Sequence, residues 1–257
     1  MLRFLRILPL VLGATLCLAQ VPKDWKPTLG AGEALGVGSF REGVKVYGEA
    51  ARPHPLGLMS KLVWLRLQGT DWEARSLRFR CTGALDGIRC TEAKGHGRVD
   101  LGKALREGCD LAFLAWARMS VNVWSQESGE GSARLRLEEG FRPFLGGRMP
   151  TGDGPPEVGL EWVGAGALLR GSVREVLDWM LEPAQEGLAQ QARRYFGSLI
   201  QDPIGDWWIA AGPSTGSDEA GTWVCGSNGT TYALLHLPRV MPRAEALARF
   251  KALLSLK

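Results

Sequence analysis

The chain has 257 residues, a formal net charge of +4, 45% hydrophobic and 23% charged residues, the balance of a globular protein with one good core and not of a disordered or repeatedly membrane-spanning chain. Its Lys and Arg residues are scattered, without a basic run or interleaved aromatics, which excludes a nucleic-acid footprint. No internal repeat is evident, and no Ser/Gly or charged linker is long enough to divide the chain.

Two arginines, Arg3 and Arg6, precede an apolar stretch from Ile7 to Leu18, and small residues, Cys17 and Ala19, stand where a signal peptidase reads. Residues 1–19 are therefore expected to be a secretory signal peptide, too short for a comfortable transmembrane helix and cleaved after Ala19. Two other readings are a lipid anchor on Cys17, to which the bulky Leu16 is a poor lead, and an uncleaved anchor. The expected product is one secreted or periplasmic domain, residues 20–257, with no membrane span.

After a Gly-rich start, Gly43 to Tyr47 alternates as a strand, and Pro53 and Pro55 punctuate the approach to a helix beginning at Leu58 and ending at Gly69. Asp100 suits an N-cap for a helix from Leu101 to Glu107, Gly108 breaks it, and Asp110 to Met119 resumes the pattern. The Gly- and Pro-bearing region from Gly129 to Gly166 reads as irregular connection. Ser172 and Glu175 form a capping box for a following helix, and Pro183 is expected to open another carrying Leu188, Tyr195, Phe196 and Leu199. Strands are expected at Trp207 to Ala211, Thr222 to Cys225 and Thr231 to Leu237, the last two joined by a hairpin at Asn228-Gly229. Pro242 precedes a closing amphipathic helix.

Four cysteines remain after cleavage. In an oxidising compartment Cys81 and Cys90, separated by a segment containing Gly83 and Gly87, are expected to form a disulfide. Cys109 and Cys225 are either a second pair or buried thiols. No CxxC pair is present, and His54, His96 and His236 stand apart in sequence, so no metal site and no cofactor are expected. His54 and His96 suggest no catalytic role.

Three stretches, in order, carry a likeness to a known family. They are His54-Pro55-Leu56-Gly57-Leu58-Met59-Ser60-Lys61-Leu62; the run from Gly95-His96-Gly97 to Gly108-Cys109-Asp110-Leu111; and Ser214-Thr215-Gly216-Ser217 with the following Trp223-Val224-Cys225-Gly226. They resemble, in turn, the Pro-Leu-Gly-Ser-x-x-Lys, Ser-x-Asn and Lys-Thr-Gly motifs of the penicillin-recognising serine acyltransferases, that is, penicillin-binding transpeptidases and class D β-lactamases. Trp162, Trp179 and Trp207-Trp208 echo class D spacing more weakly. The resemblance implies an α+β fold: an antiparallel sheet flanked by N- and C-terminal helices, plus a mostly helical lobe.

The motifs are degenerate. Leu58 stands where the resemblance puts the nucleophilic Ser, which needs an adjacent base one helical turn on. No serine in the chain has a Lys three residues downstream, and Ser60 precedes Lys61 directly, pointing away from it on a helix. Gly108 replaces the second Ser. Asp110 replaces the Asn, so Lys61 and Asp110 are expected to form an ion pair that spoils Lys61 as a base. Ser214 replaces the Lys of the third motif while Thr215 and Gly216 remain, so much of the positive charge for an anion is gone. Backbone N–H groups of Leu58 and Ser217 would form the remnant of an oxyanion hole. The binding remnants expected from this reading are Lys61, Asp110, Thr215 and Ser217, with no competent catalytic set.

The leading expectation is thus an exported non-catalytic relative that works by binding, with cell-wall synthesis proteins or peptidoglycan peptides as partners. An active acyltransferase using Cys109 or Ser60, and an unrelated exported α+β binding module, are the alternatives. The tryptophans are expected in the core, an exposed subset being able to line a groove. Glu138, Glu139, Asp218 and Glu219 read as solvated charges, and Arg142, Arg148 and Arg170 as a possible docking face.

Overall fold

The computed structural model describes residues 25–68, 78–146, 157–166, 168–183, 187–196, 198–202, 205–215 and 219–254. The expected signal peptide, Arg148, Gly216, Ser217 and Asp218 lie outside the described residues. In chain order the elements are β1 (Ala34–Ser39), β2 (Gly43–Gly48), β3 (His54–Pro55), α1 (Leu58–Gln68), β4 (Phe79–Cys81), β5 (Ala84–Leu85), β6 (Ile88–Arg89) and β7 (Gly97–Val99). Then come α2 (Leu101–Glu107), α3 (Asp110–Ser128), α4 (Glu130–Phe141), β8 (Arg170–Gly171), α5 (Val173–Met180), α6 (Leu188–Phe196), β9 (Ser198–Asp202), β10 (Gly205–Thr215), β11 (Ala220–Ser227), β12 (Thr231–Leu237) and α7 (Arg243–Leu254).

A six-stranded sheet of order β2-β1-β12-β11-β10-β9 organises the chain, every neighbouring pair antiparallel. Strands β11 and β12 are buried along nearly their whole length, because helices cover both faces. One face packs on α5 and the helical lobe, where Trp208, Ala210, Trp223 and Leu234 join the main core; the other packs on α7 through Leu35, Trp207, Val224 and Phe250. This is the α+β arrangement expected from the sequence. Among the described residues no helix is long and apolar enough to cross a membrane.

Strand β1 hides in the Gly-rich start. Its Leu35 and Val37 serve the α7 face. On the other face a Cβ at Gly36 would lie 2.9 Å from Val173 and Leu177, and one at Gly38 would lie 2.6 Å from Leu181. Glycine at alternate positions lets α5 lie close on the sheet, and it also erases the apolar alternation that marks a strand.

The region from Gly129 to Gly166 is not all irregular: it contains α4. Ala133, Leu137 and Phe141, four residues apart, form its buried stripe. Gly140 is the point where α1 crosses, since a Cβ there would sit 2.4 Å from the Leu67 side chain. Packing overrides the weak helix propensity of Gly131 and Gly140. Helix α3 likewise runs past Met119 to Ser128, while α6 begins at Leu188 and leaves Leu199 to β9.

Trp64 on α1 centres the helical lobe. It stacks on Trp124 at 6.1 Å and meets Phe113, Trp116 and Phe141 edge-on or tilted. Its indole N–H donates to the Trp162 carbonyl at 2.8 Å, so the burial leaves no polar atom unpaired. Trp162, Trp179, Trp207, Trp208 and Trp223 are all buried, so none of them lines a surface groove.

The lobe is fastened to the sheet at the head of α1. Gly57 has φ 49°, and a Cβ on it would fall 2.3 Å from the Pro213 carbonyl oxygen and 2.6 Å from the Ser214 Cα. The Trp223 indole, reaching from β11, donates to the Pro55 carbonyl at 2.8 Å. Gly57→Ala is expected to lower stability by more than about 1–3 kcal/mol, because a left-handed backbone and a backbone clash add together. Gly87→Ala, where φ is 80° but the added methyl meets open space, should cost only about 1–2 kcal/mol; urea unfolding of both variants measures the difference.

Candidate functional site

A cleft of ≈ 260 Å³ lies where the head of α1, the turn between α2 and α3, the segment from Val163 to Ala165, and strand β10 converge. Strand β9 pairs with β10 only as far as Ile209, so the stretch Ala211–Pro213 is the part of β10 that borders the cleft. Its lining mixes apolar Leu58, Leu105 and Val163 with Lys61, Arg106, Glu107, Asp110 and Arg243.

Local sequence sets each of these groups. Leu58 opens α1 and is buried against Gly212 of β10, a Cβ on which would lie 3.2 Å from the Leu58 Cβ. Lys61 follows one turn later and is 7% exposed. Asp100 caps α2 by accepting from the Lys103 N–H, and Gly108 ends that helix in the left-handed conformation. The chain thereby turns, and Asp110 enters the first turn of α3, where a carboxylate is favoured by the helix dipole. The Lys61 Nζ and the Asp110 Oδ1 are 2.7 Å apart, forming the ion pair that the sequence anticipates. The lysine also lies 5.8 Å from the centre of the Phe113 ring.

The two candidate alternative nucleophiles do not face the cleft. Ser60 is fully buried, and its hydroxyl donates to the Gly57 carbonyl at 2.8 Å. Cys109 is fully buried as well, and burial pushes its thiol up to about 12. Ser214 is also turned away: its side chain is buried and borders a separate cavity with His54, Glu219 and His236. Thr215 ends β10.

Positive charge absent at Ser214 enters from two residues that sequence reading does not single out. Arg243, at the start of α7, donates to the Arg106 carbonyl at 3.1 Å, and both line the cleft. Burial, and then the nearby Arg106 guanidinium, hold Arg243 below its ordinary value. Nothing in the sequence joins residues 137 positions apart; only the packing of α7 beside α2 does.

No protein-family model matches the chain, and no curated protein matches its sequence. Solved structures do. The class D β-lactamase FUS-1 (OXA-85) of Fusobacterium nucleatum subsp. polymorphum superposes with a TM-score of 0.55 at 14% identity, over 88% of this chain and 93% of that one. A class D β-lactamase of Bacillus subtilis gives 0.54 at 14% identity over 88% and 92%. The penicillin-binding protein PonA1 of Mycobacterium tuberculosis gives 0.51 at 13% over 81% and 69%. The chain has the transpeptidase/β-lactamase-like fold. The cleft at the edge of β10 is lined by residues of the first two stretches that carry the sequence resemblance and by Ala211–Pro213, the part of β10 that leads into the third.

Two further groupings in the transpeptidase-like domain depart from the sequence reading. His54 and His236 are buried and stacked, ring centres 3.6 Å apart. Beside them Glu219 is not a solvated charge: it pairs with Arg52 and Arg170, which also ties Arg170 down and removes it from a docking face. Glu138 similarly pairs with Arg134.

The expected Cys81–Cys90 disulfide is not formed, and His96 is not isolated. The four cysteines of the described residues are thiols. Three of them, Cys81, Cys90 and Cys109, gather with His96 so that their donor atoms all lie within 4.8 Å of one another. The expectation of no metal-binding group rested on the absence of CxxC spacing; tertiary packing assembles these donors from three separate segments instead. Burial opposes ionisation of Cys81, yet hydrogen bonds from the His96 side chain and from backbone N–H groups bring its thiol down to about 6. Cys225 is apart from this group, buried in the main core.

Removing Asp110 strands the nearly buried Lys61 ammonium. Asp110→Ala should therefore cost on the order of 2 kcal/mol, less than a fully buried pair would because Asp110 is 32% exposed, whereas Lys61→Met should cost less; urea unfolding of both checks the order. Burial, then the charge of His54, lowers His236 to about 3. The unfolded chain takes up a proton there below pH ~6.5 and the folded chain does not until near pH 3, so stability falls as pH drops through that window by up to about 1.4 kcal/mol per pH unit. His236→Phe should flatten this part of a stability-against-pH curve.

Proposed function

We propose that this chain is an exported, non-catalytic binding protein built on the transpeptidase fold, and that its cleft takes an anionic peptide end in a cell-wall setting. The observation that carries this reading is the Lys61–Asp110 pair at 2.7 Å with Leu58 one turn before the lysine. An acyl-transfer site needs a hydroxyl or thiol beside a free base. Here the nearest lysine is neutralised by a carboxylate and the preceding turn presents a hydrocarbon, while Ser60 and Cys109 are buried away from the cleft.

The same cleft suits binding. Arg106 and Arg243 stand side by side on its wall and supply positive charge there beside Glu107. Apolar Leu58, Leu105 and Val163 supply a surface for a small side chain. A carboxylate-terminated peptide, of which the peptidoglycan stem is the class suggested by the penicillin-binding neighbours, has both features. The cell-wall setting rests on that likeness of fold, and export rests on residues 1–19; a mature amino terminus at Gln20 in the extracytoplasmic fraction would support it. Proteins of cell-wall synthesis are the other partners consistent with a binding role.

Incubation with a fluorescent penicillin should leave the intact mass unchanged, and an acylated side chain in the cleft would overturn the reading. Calorimetric titration with a synthetic stem peptide should show binding that Arg243→Met weakens by about tenfold or more, the loss expected for a charge-assisted hydrogen bond of about 1.5–3 kcal/mol.

A further inference from the structure

The segment from Phe79 to Val99 is held by Phe79 and Ile88, which are only partly buried against the main core, and by a few side-chain bonds such as Arg118 to Asp86. Its four strands are two or three residues long and pair as β4 with β7 and β5 with β6. Pieces of that size do not stand alone in water. Its buried company is a small satellite cluster of Cys81, Val99, Ala104, Cys109, Leu111 and Ala112, separate from the main core. At its centre lie the sulfurs of Cys81, Cys90 and Cys109 and a ring nitrogen of His96.

We propose that these four residues form a structural zinc site of the Cys3His type. A tetrahedral zinc, with bonds of ~2.3 Å to sulfur and ~2.0–2.1 Å to nitrogen, spaces its donors about 3.5–3.8 Å apart. The donors here all lie within 4.8 Å of one another, and the Cys90 Sγ and His96 Nδ1 are 3.3 Å apart. A small inward adjustment meets the requirement, and four protein ligands close the coordination shell, as a structural site requires.

The surroundings suit thiolates. The His96 Nδ1 already lies 3.3 Å from the Cys90 sulfur. Cys109 also sits at the N-cap of the long helix α3, where the dipole favours negative charge. The backbone is folded tightly enough to require glycine: a Cβ on Gly95 would fall 2.2 Å from the Cys81 carbonyl oxygen, and one on Gly83 2.3 Å from that of Ala93. The Lys103 ammonium, 3.2 Å from the His96 carbonyl, lies where it offsets the single net negative charge of three thiolates and one Zn²⁺.

Disulfide pairing accounts for the cluster less well. Three cysteines cannot pair off among themselves, and a Cys81–Cys90 bridge would leave Cys109 as a buried thiol against it. Zinc uses all three: each thiol releases its proton to solvent as its Zn–S bond forms, and neutral His96 coordinates through Nδ1. The bonded Cys109 then fixes the turn that carries Asp110, so the metal would hold one wall of the cleft. The site stands independently of what that cleft binds.

The test is anaerobic titration of the reduced, metal-stripped full chain with Co²⁺ and then Zn²⁺. The expected result is one equivalent of Co²⁺ with thiolate-to-metal charge-transfer absorption and tetrahedral d–d bands, displaced by one equivalent of Zn²⁺, with a gain in thermal stability. Cys90→Ser and His96→Ala, both at half-buried positions, should keep the far-ultraviolet circular dichroism of the parent and lose affinity by more than the roughly 10- to 100-fold that an outer-shell change costs. Absence of the charge-transfer band in the folded chain, unaltered affinity in both variants, or a Cys81–Cys90 disulfide in protein isolated from its native compartment would each overturn the proposal.

Discussion

The close approach of Gly57 to the backbone of β10 is the constraint on which the cleft depends. With no side chain to hold them apart, the head of α1 rests directly on the Pro213–Ser214 peptide, and the Trp223 indole clamps the preceding Pro55 carbonyl from the neighbouring strand. That contact aims the first turn of α1 at the free part of β10. Leu58 and Lys61 occupy the cleft as a consequence, and the aromatic packing around Trp64 keeps α1 from rotating away.

Charge within the cleft follows from two helix termini. Gly108 stops α2 and lets Asp110 begin α3, which brings a carboxylate to Lys61. The start of α7 brings Arg243 beside Arg106. Lysine is thus committed to an internal partner while guanidinium groups line the wall. The turn that carries Asp110 also carries Cys109, so the thiol and imidazole cluster and the ion pair share one short piece of backbone. Thr91, from the small β4–β7 segment, also lines the cleft, so the two regions adjoin at more than that turn.

Much of the fold was legible because local chemistry and tertiary structure agree there. The Asp100 cap with Gly108, the Ser172–Glu175 capping box and the Asn228-Gly229 hairpin are short-range devices, and each stands where the sequence places it. The ion pair was legible for a different reason: the order of the resembling motifs places Lys61 and Asp110 in one pocket. Where glycine serves close packing, as in β1 and at Gly140 of α4, the local signal points away from the element that forms.

The sequence by itself determined the α+β class, the order of the helices and strands that flank the cleft, and the absence of a Ser-x-x-Lys pair, since these depend on residue identity and near spacing. Tertiary structure alone decided three things. It stacked His54 on His236, drew Arg243 to Arg106, and gathered Cys81, Cys90, His96 and Cys109 into one cluster. Each joins segments whose separation along the chain follows no short motif, and such encounters are set by how helices and strands pack, which residue spacing does not encode.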